Sequence, residues 1–190
     1  MARTVLLFVL ILSVVAARAA ELRAIDVDRK KGHILVASET YIDAPAEAVY
    51  EILADYEGFH RISKVFTETR YLERDDIGNG VVYSKAAGCV LFFCTEIERV
   101  ETLTLTPGRE ILAVAIPEKS DVDFSVARWV FEQEGSGTRL LYGVEFKPGF
   151  WIPPVLGPMI IRAKLRSRGI DAANRVEQLA NGSRVRSASP

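Results

Sequence analysis

Only two histidines and two cysteines occur in this 190-residue sequence. His33 and His60 are therefore the only side chains able to act as bases near neutral pH without a shifted pKa. No Gly-x-Ser-x-Gly, His-Glu-x-x-His, phosphate loop or dinucleotide fingerprint is present, which removes the common motif-borne enzyme classes. Two thiols without companion histidines or cysteines give too few ligands for a metal site, so neither metal nor cofactor is implied. No apolar run approaches the roughly 20 residues a membrane-crossing helix needs. The formal net charge is -1, and no nucleic-acid partner is expected.

What is present begins with a leader-like segment. Arg3 precedes an apolar run from Val5 to Val15, followed by 16-AARAA-20 with small residues at Ala17 and Ala19. These are the three parts of a secretory signal peptide, from which cleavage after Ala19 and a mature chain in the periplasm or outside the cell are expected; the alternative is an uncleaved membrane anchor or a buried N-terminal helix. No cysteine follows that point, so lipidation is not expected. The remainder reads as a connector over 20–32, one domain over 33–181 and a disordered tail over 182–190. Residues 161–190 carry seven Lys/Arg against Asp171 and Glu177, the one basic end of the mature chain.

Periodicity then sets the elements. The stretch 33-HILVASETYI-42 alternates as a strand with two rather apolar faces. In 43-DAPAEAVYEILADYEGF-59, Val49, Ile52, Leu53 and Tyr56 recur at helical spacing, with Pro45 suited to the first turn and Gly58 to the stop. Strands are predicted at 66–74, 80–86, 93–105, 110–116, 126–133 and 139–146. The separating segments 75-DDIGNG-80, 106-TPG-108 and 134-EGSG-137 have turn chemistry, and 117–123 is a longer excursion. A helix is predicted from Pro158 to Ala180 on the stripe Ile161, Leu165, Ala172, Val176 and Leu179, with Gly169 allowing close contact and Asn181-Gly182 as the stop. This order predicts an α+β fold: a curved antiparallel sheet of about seven strands gripping one long C-terminal helix.

Three stretches carry a resemblance: 42-IDAPAEAVYEILADYEGF-59, 128-RWVFE-132 with the Gly-Ser turn and 139-RLLYGVEF-146 after it, and the closing helix. On these, residues 33–180 resemble the START-like helix-grip superfamily, in particular its polyketide cyclase and coenzyme Q-binding branch. The resemblance implies a cavity between sheet and helix, suited to a lipid, an isoprenoid quinone or a polyketide. The expected wall is Tyr83, Trp129, Phe131, Tyr142, Val144 and Phe146, with Trp151 beside it. The same side chains would serve equally well as core filling. Bare Gly143 marks a bend or open space in its strand.

Two functions follow as expectations. The first is an exported, monomeric, non-enzymatic carrier of a hydrophobic small molecule. The alternative is a cyclase or aromatase in the same cavity, for which Tyr83, Glu96 and Arg128 would position and protonate a poly-carbonyl substrate. Without that chemistry, Arg128 belongs on the solvent side or in a cross-strand pair. The apolar, proline-rich 149-GFWIPPVLGPMIIRAKLRSR-168 suggests a cavity lid that also touches a membrane, through Phe150, Trp151 and Ile152 with Arg162 and Arg166. Cys89 and Cys94 bracket four residues. They form a disulfide if the chain turns between them, or remain ordinary buried thiols.

Overall fold

The strand that begins at His33 is the second of eight, not the first of about seven. A computed structural model describes residues 19–90, 93–149 and 156–187 of the chain. In it, β1 (Glu21–Lys30) pairs antiparallel with β2 (His33–Ile42). The segment read as a charged connector is thus an edge strand. Its signal is masked because the register shifts between Leu22 and Ala24, so that Leu22 and Ile25, three apart, meet Thr40 and Ser38 on one face. A bulge of this kind breaks the period of two on which a strand is recognised.

After β2 come α1 (Ala46–Ala54), a 3-10 turn at Tyr56–Gly58, and the short α2 (Phe59–Ile62). The sheet then resumes with β3 (Phe66–Arg74), β4 (Gly80–Val90), β5 (Phe93–Thr106), β6 (Glu110–Ala115), β7 (Val122–Glu134) and β8 (Gly137–Pro148), and the chain closes with α3 (Leu156–Ser187). The strands lie in the order β1-β2-β8-β7-β6-β5-β4-β3, all neighbours antiparallel, in one open curved sheet. Sequential strands meet as a meander; only the β2 to β8 pairing joins distant parts of the chain.

Alternation decides which side chains enter the concave side. Ile34, Val36, Thr40 and Ile42 are buried on β2, and their partners Phe146, Val144, Leu140 and Thr138 share that face on β8. Carrying the register on, Ala127 and Phe131 of β7, Ile111, Ala113 and Ala115 of β6, Leu103 and Leu105 of β5, and Val82 and Ser84 of β4 are all buried on the same side. α1 covers one part of this face with Val49, Tyr50 and Leu53, and the Tyr50 ring meets Phe131 edge-on at 5.4 Å. Each such large side chain taken from water contributes roughly 1.5–3 kcal/mol.

α3 crosses the sheet at the β1 end, and its two halves are held differently. Ile161 and Leu165 pack on the cluster Val27, Ile34 and Val36, which Phe146 and Val144 also join. Farther along, Ala173, Val176 and Ala180 are buried against the α1 side of the core. On that second half Asn174 Oδ1 accepts from the Ala20 amide at 3.0 Å, Glu177 Oε2 accepts from the Asp43 amide at 2.9 Å, and Asn181 Nδ2 donates to the Asp43 carbonyl at 3.1 Å. The spacing 174, 177, 181 sets these three side chains on one helix flank.

Asn181 is therefore a tether and not a stop, and the helix continues through Gly182 to Ser187 where a disordered tail is expected from composition. Gly169 is exposed, and a Cβ there would meet nothing within 4 Å, so it is not a point of close approach. Gly143 does mark open space. It turns away from Tyr142 and Val144, and with Ala24, Ala37, Val130 and Leu141 it floors an outer furrow of about 530 Å³. Among the described residues no helix is long and apolar enough to cross a membrane.

Candidate functional site

Within the concave face, burial is uneven. Trp129, Leu140, Tyr142, Val144 and Phe146 are only half buried, although Ala127 and Phe131 beside them are buried. These inward-facing side chains remain part-exposed, so the concave face is accessible beside them instead of closing fully as core. Trp129 and Tyr142 stand side by side across β7 and β8, ring centroids 5.0 Å apart. Phe131, by contrast, is core, locked against Tyr50. Trp151, Phe150 and Ile152 lie outside the described residues.

At the β4–β5 side the same face carries charge. Arg99 lies opposite Ser84, and Glu101 opposite Val82, so both turn inward with those buried neighbours. Arg99 Nη1 is 3.4 Å from Glu101 Oε1; their side chains are 22% and 3% exposed. Among the described residues Oε1 meets no partner in hydrogen-bond geometry, whereas Oε2 accepts from the Tyr56 hydroxyl at 3.3 Å. That tyrosine is delivered by the 3-10 turn after α1, whose first carboxylate, Asp55, accepts from the Gly58 amide. Ser84 Oγ sits beside the Tyr56 hydroxyl without satisfying hydrogen-bond geometry, and Ser125 Oγ, also fully buried, has no partner among the described residues.

These groups tune one another. Burial works most strongly on Arg99, against its cation, but the Glu101 charge together with the Tyr56 and Tyr142 phenols outweighs it and holds the guanidinium pKa above its ordinary value. Burial, with the Glu101 charge added, pushes the Tyr56 hydroxyl well above the usual phenol range. Burial also raises Tyr142, to about 12, with Arg99 pulling it down and Glu101 pushing it up. Tyr142 thus joins the apolar wall to the ion pair. Both phenols are hydrogen-bond donors at neutral pH, not bases.

The other residues singled out from sequence fall elsewhere. Tyr83 faces outward, because Val82 and Ser84 on either side face in; its ring lies under Arg70 at 4.6 Å. Glu96, with Glu98, pairs with Lys85, and Arg128 pairs with Glu110 across β6 and β7. All three candidate cyclase residues, Tyr83, Glu96 and Arg128, are therefore on the outer face and cannot reach a molecule held within. His60, exposed on α2, bonds the Glu57 carbonyl at 3.1 Å, and His33 lies 2.8 Å from Glu145 with its ring against Phe124. Arg162 pairs with Asp26 of β1 at 2.8 Å; Arg166 is exposed. Cys89 and Cys94 are directly opposite each other in the β4–β5 register.

Sequence reading passed over Arg99 and Glu101, although a signal was available. In 93-FCTEIERVETLTL-105 they share parity with Leu103 and Leu105, and opposite charges two apart on the apolar parity of a strand are unusual. Charges at Glu96 and Glu98 on the other parity concealed the pattern.

A curved antiparallel sheet gripping a C-terminal helix, with a part-exposed concave face and an isolated polar cluster on it, defines the START-like helix-grip class. Residues 33–179 match the family of polyketide cyclase / dehydrase and lipid transport proteins, and the chain belongs to that family. No curated protein matches the sequence. Among solved structures, the chain is similar to a START superfamily protein from Mycobacterium smegmatis, with TM-score 0.65 and 16% identity over 78% of this chain and 99% of that one. It is similar also to the Zhui aromatase/cyclase from a Streptomyces species, with TM-score 0.60 and 20% identity over 83% of this chain and 98% of the other. Human STARD10 aligns with TM-score 0.61 and 10% identity, covering 85% of this chain and 76% of its own. At these identities the likeness is one of fold.

Proposed function

We propose that this protein is an exported carrier of a hydrophobic molecule, a lipid or an isoprenoid quinone, held between the sheet and α3 and exchanged with a membrane. The observation that carries the reading is the half-buried inner wall of Trp129, Leu140, Tyr142, Val144 and Phe146, which ends at a polar cluster instead of closing as core. Apolar walls with a few convergent polar groups are what small-molecule sites generally present. Membership of a family of cyclases and lipid transport proteins supports the same class of ligand. The leader-like residues 1–19 support export. The cations of α3, next in sequence to the apolar 149–155, support the membrane step.

The test is native mass spectrometry and organic extraction of protein purified from its own compartment. A co-purifying lipid or quinone at near one per chain is expected. Protein that retains no such molecule and binds no neutral apolar dye would overturn the reading.

One observation favours a cyclase as a second reading. Tyr56 and Arg99 are buried donors held beside the Glu101 carboxylate, an arrangement of the kind that could orient a poly-carbonyl chain, and an aromatase/cyclase shares the fold. Conversion of a reactive poly-carbonyl substrate, lost in Arg99→Met, would establish it. Conversion no faster than without protein would dismiss it.

A further inference from the structure

We propose that the interior cluster selects a neutral end group that both donates and accepts hydrogen bonds, an alcohol or a phenol, over a carboxylate or phosphate. This rests on the reading of the inner face as an apolar ligand site. Arg99 and Glu101 are one cation and one anion, so the site is charge-balanced before any ligand enters. The pair is slack: its closest approach is 3.4 Å, outside hydrogen-bond geometry, and Glu101 Oε1 has no hydrogen-bond partner among the described residues although the side chain is 3% exposed.

A buried acceptor of this kind calls for a donor, because leaving it unsatisfied carries its full desolvation cost. Tyr56 already spends its proton on Oε2, so the donor Oε1 lacks is not supplied by that hydroxyl. A hydroxyl can answer both groups at once, giving its proton to Oε1 and accepting from the guanidinium. A ketone can only accept from Arg99 and leaves Oε1 as it was. A carboxylate would bring a second anion beside Glu101, where weak screening makes like charges expensive. An ammonium would meet the same opposition from Arg99. Ser84 Oγ and Ser125 Oγ, fully buried, add only neutral groups to the surroundings.

Displacement of Nile red, a neutral apolar dye, from the full mature chain by dodecanol, dodecan-2-one and dodecanoate at neutral pH tests the proposal. The tails match and only the end group changes. The expected order is alcohol, then ketone, then carboxylate, with at least about a tenfold preference of alcohol over carboxylate. In Glu101→Gln the Arg99 cation loses its counter-charge, and dodecanoate should move to first place. Dodecanoate binding to the wild type as well as dodecanol overturns the proposal, as does an unchanged order in a folded Glu101→Gln. Should that variant not fold, the wild-type order decides alone. If Nile red itself does not bind, the apolar-ligand reading fails and takes this one with it. If Nile red binds and the three ends compete equally, only the end-group selection falls.

Discussion

Arg99 and Glu101 depend on each other as residues before they serve any ligand. Removing one leaves the other's charge buried and uncompensated, which typically costs about 3–5 kcal/mol. Glu101→Ala or Arg99→Ala should therefore lower the free energy of unfolding by about that much in urea, while Arg99→Met with Glu101→Leu should recover most of the loss. Equal damage from the singles and the double would mean that the pair does not interact. Tyr142 supplies a pH signature. Its folded pKa is raised from 10.0 to about 12, so the folded state holds the phenol proton more tightly than the unfolded state. The stability this contributes is complete below pH 10 and is lost as pH rises through about 12. Tyr142→Phe should flatten the fall in stability over that window, and ultraviolet titration should show one late-titrating tyrosine fewer. An unchanged alkaline profile would refute the assignment. At this scale the site was half legible. The inward parity of Trp129, Tyr142, Val144 and Phe146 follows from alternation alone, but an inward Tyr83 runs against the parity of Val82 and Ser84. Tyr56 read as a helix-stripe residue because its hydroxyl's partner lies 45 positions away.

Elements were easier to read than residues wherever a single period ran without interruption. The expected bounds of β3 match the observed ones, and those of β5 and β6 differ by a residue: β5 and β6 keep a period of two up to the turn at 106–108, whereas β3, shifted in register at Phe66/Glu68 and Tyr71/Glu73, is bounded by the turn chemistry of 75–80. β1 is not legible in this way, because its bulge and its charges hide the alternation, and α3 ran past Asn181-Gly182 because what holds that end is tertiary. Asn174, Glu177 and Asn181 bond backbone groups of Ala20 and Asp43, at the start of β1 and after β2. Such bonds contribute about 1 kcal/mol each, so Asn174→Ala and Asn181→Ala should each lower stability by roughly that amount. Hydrogen exchange should quicken in the second half of α3 and leave β5 and β6 unchanged. Uniform loss of protection would mean that the helix end is no separate unit. The β4–β5 hairpin offers another test. Its register places Cys89 opposite Cys94, the pairing that a crosslink requires. Protein from an oxidising compartment, unfolded without reductant, is expected to take up no thiol label; two labels per chain would establish free thiols.

For the molecule as a whole, the question is how a ligand buried beneath a helix would leave. α3 carries Arg162, Lys164, Arg166 and Arg168 before its first acid, Asp171, and Met159 one turn earlier is 63% exposed. The helix thus shows a cationic first half where it covers the inner wall through Ile161 and Leu165. Arg162 is engaged by Asp26, but both side chains are half exposed or more, and exposed pairs of this kind are worth about 1 kcal/mol or less. An anionic surface could therefore recruit Arg162 along with Lys164, Arg166 and Arg168 at about 1 kcal/mol per cation, enough for reversible docking. Exchanging Asp26 for lipid phosphate would also free α3 from β1, over the very wall where ligand is proposed to sit, so docking and opening would be one event. Co-sedimentation with phosphatidylglycerol and phosphatidylcholine vesicles checks this. Binding to the anionic vesicles alone is expected, weakening with salt, lost in Lys164→Glu with Arg166→Glu, and strengthened in Asp26→Asn, which releases Arg162. Equal binding to both vesicle types, or none to either at low salt, would defeat the idea. Stronger binding of Asp26→Asn without faster dye release would separate docking from opening and leave the exit route elsewhere in the fold.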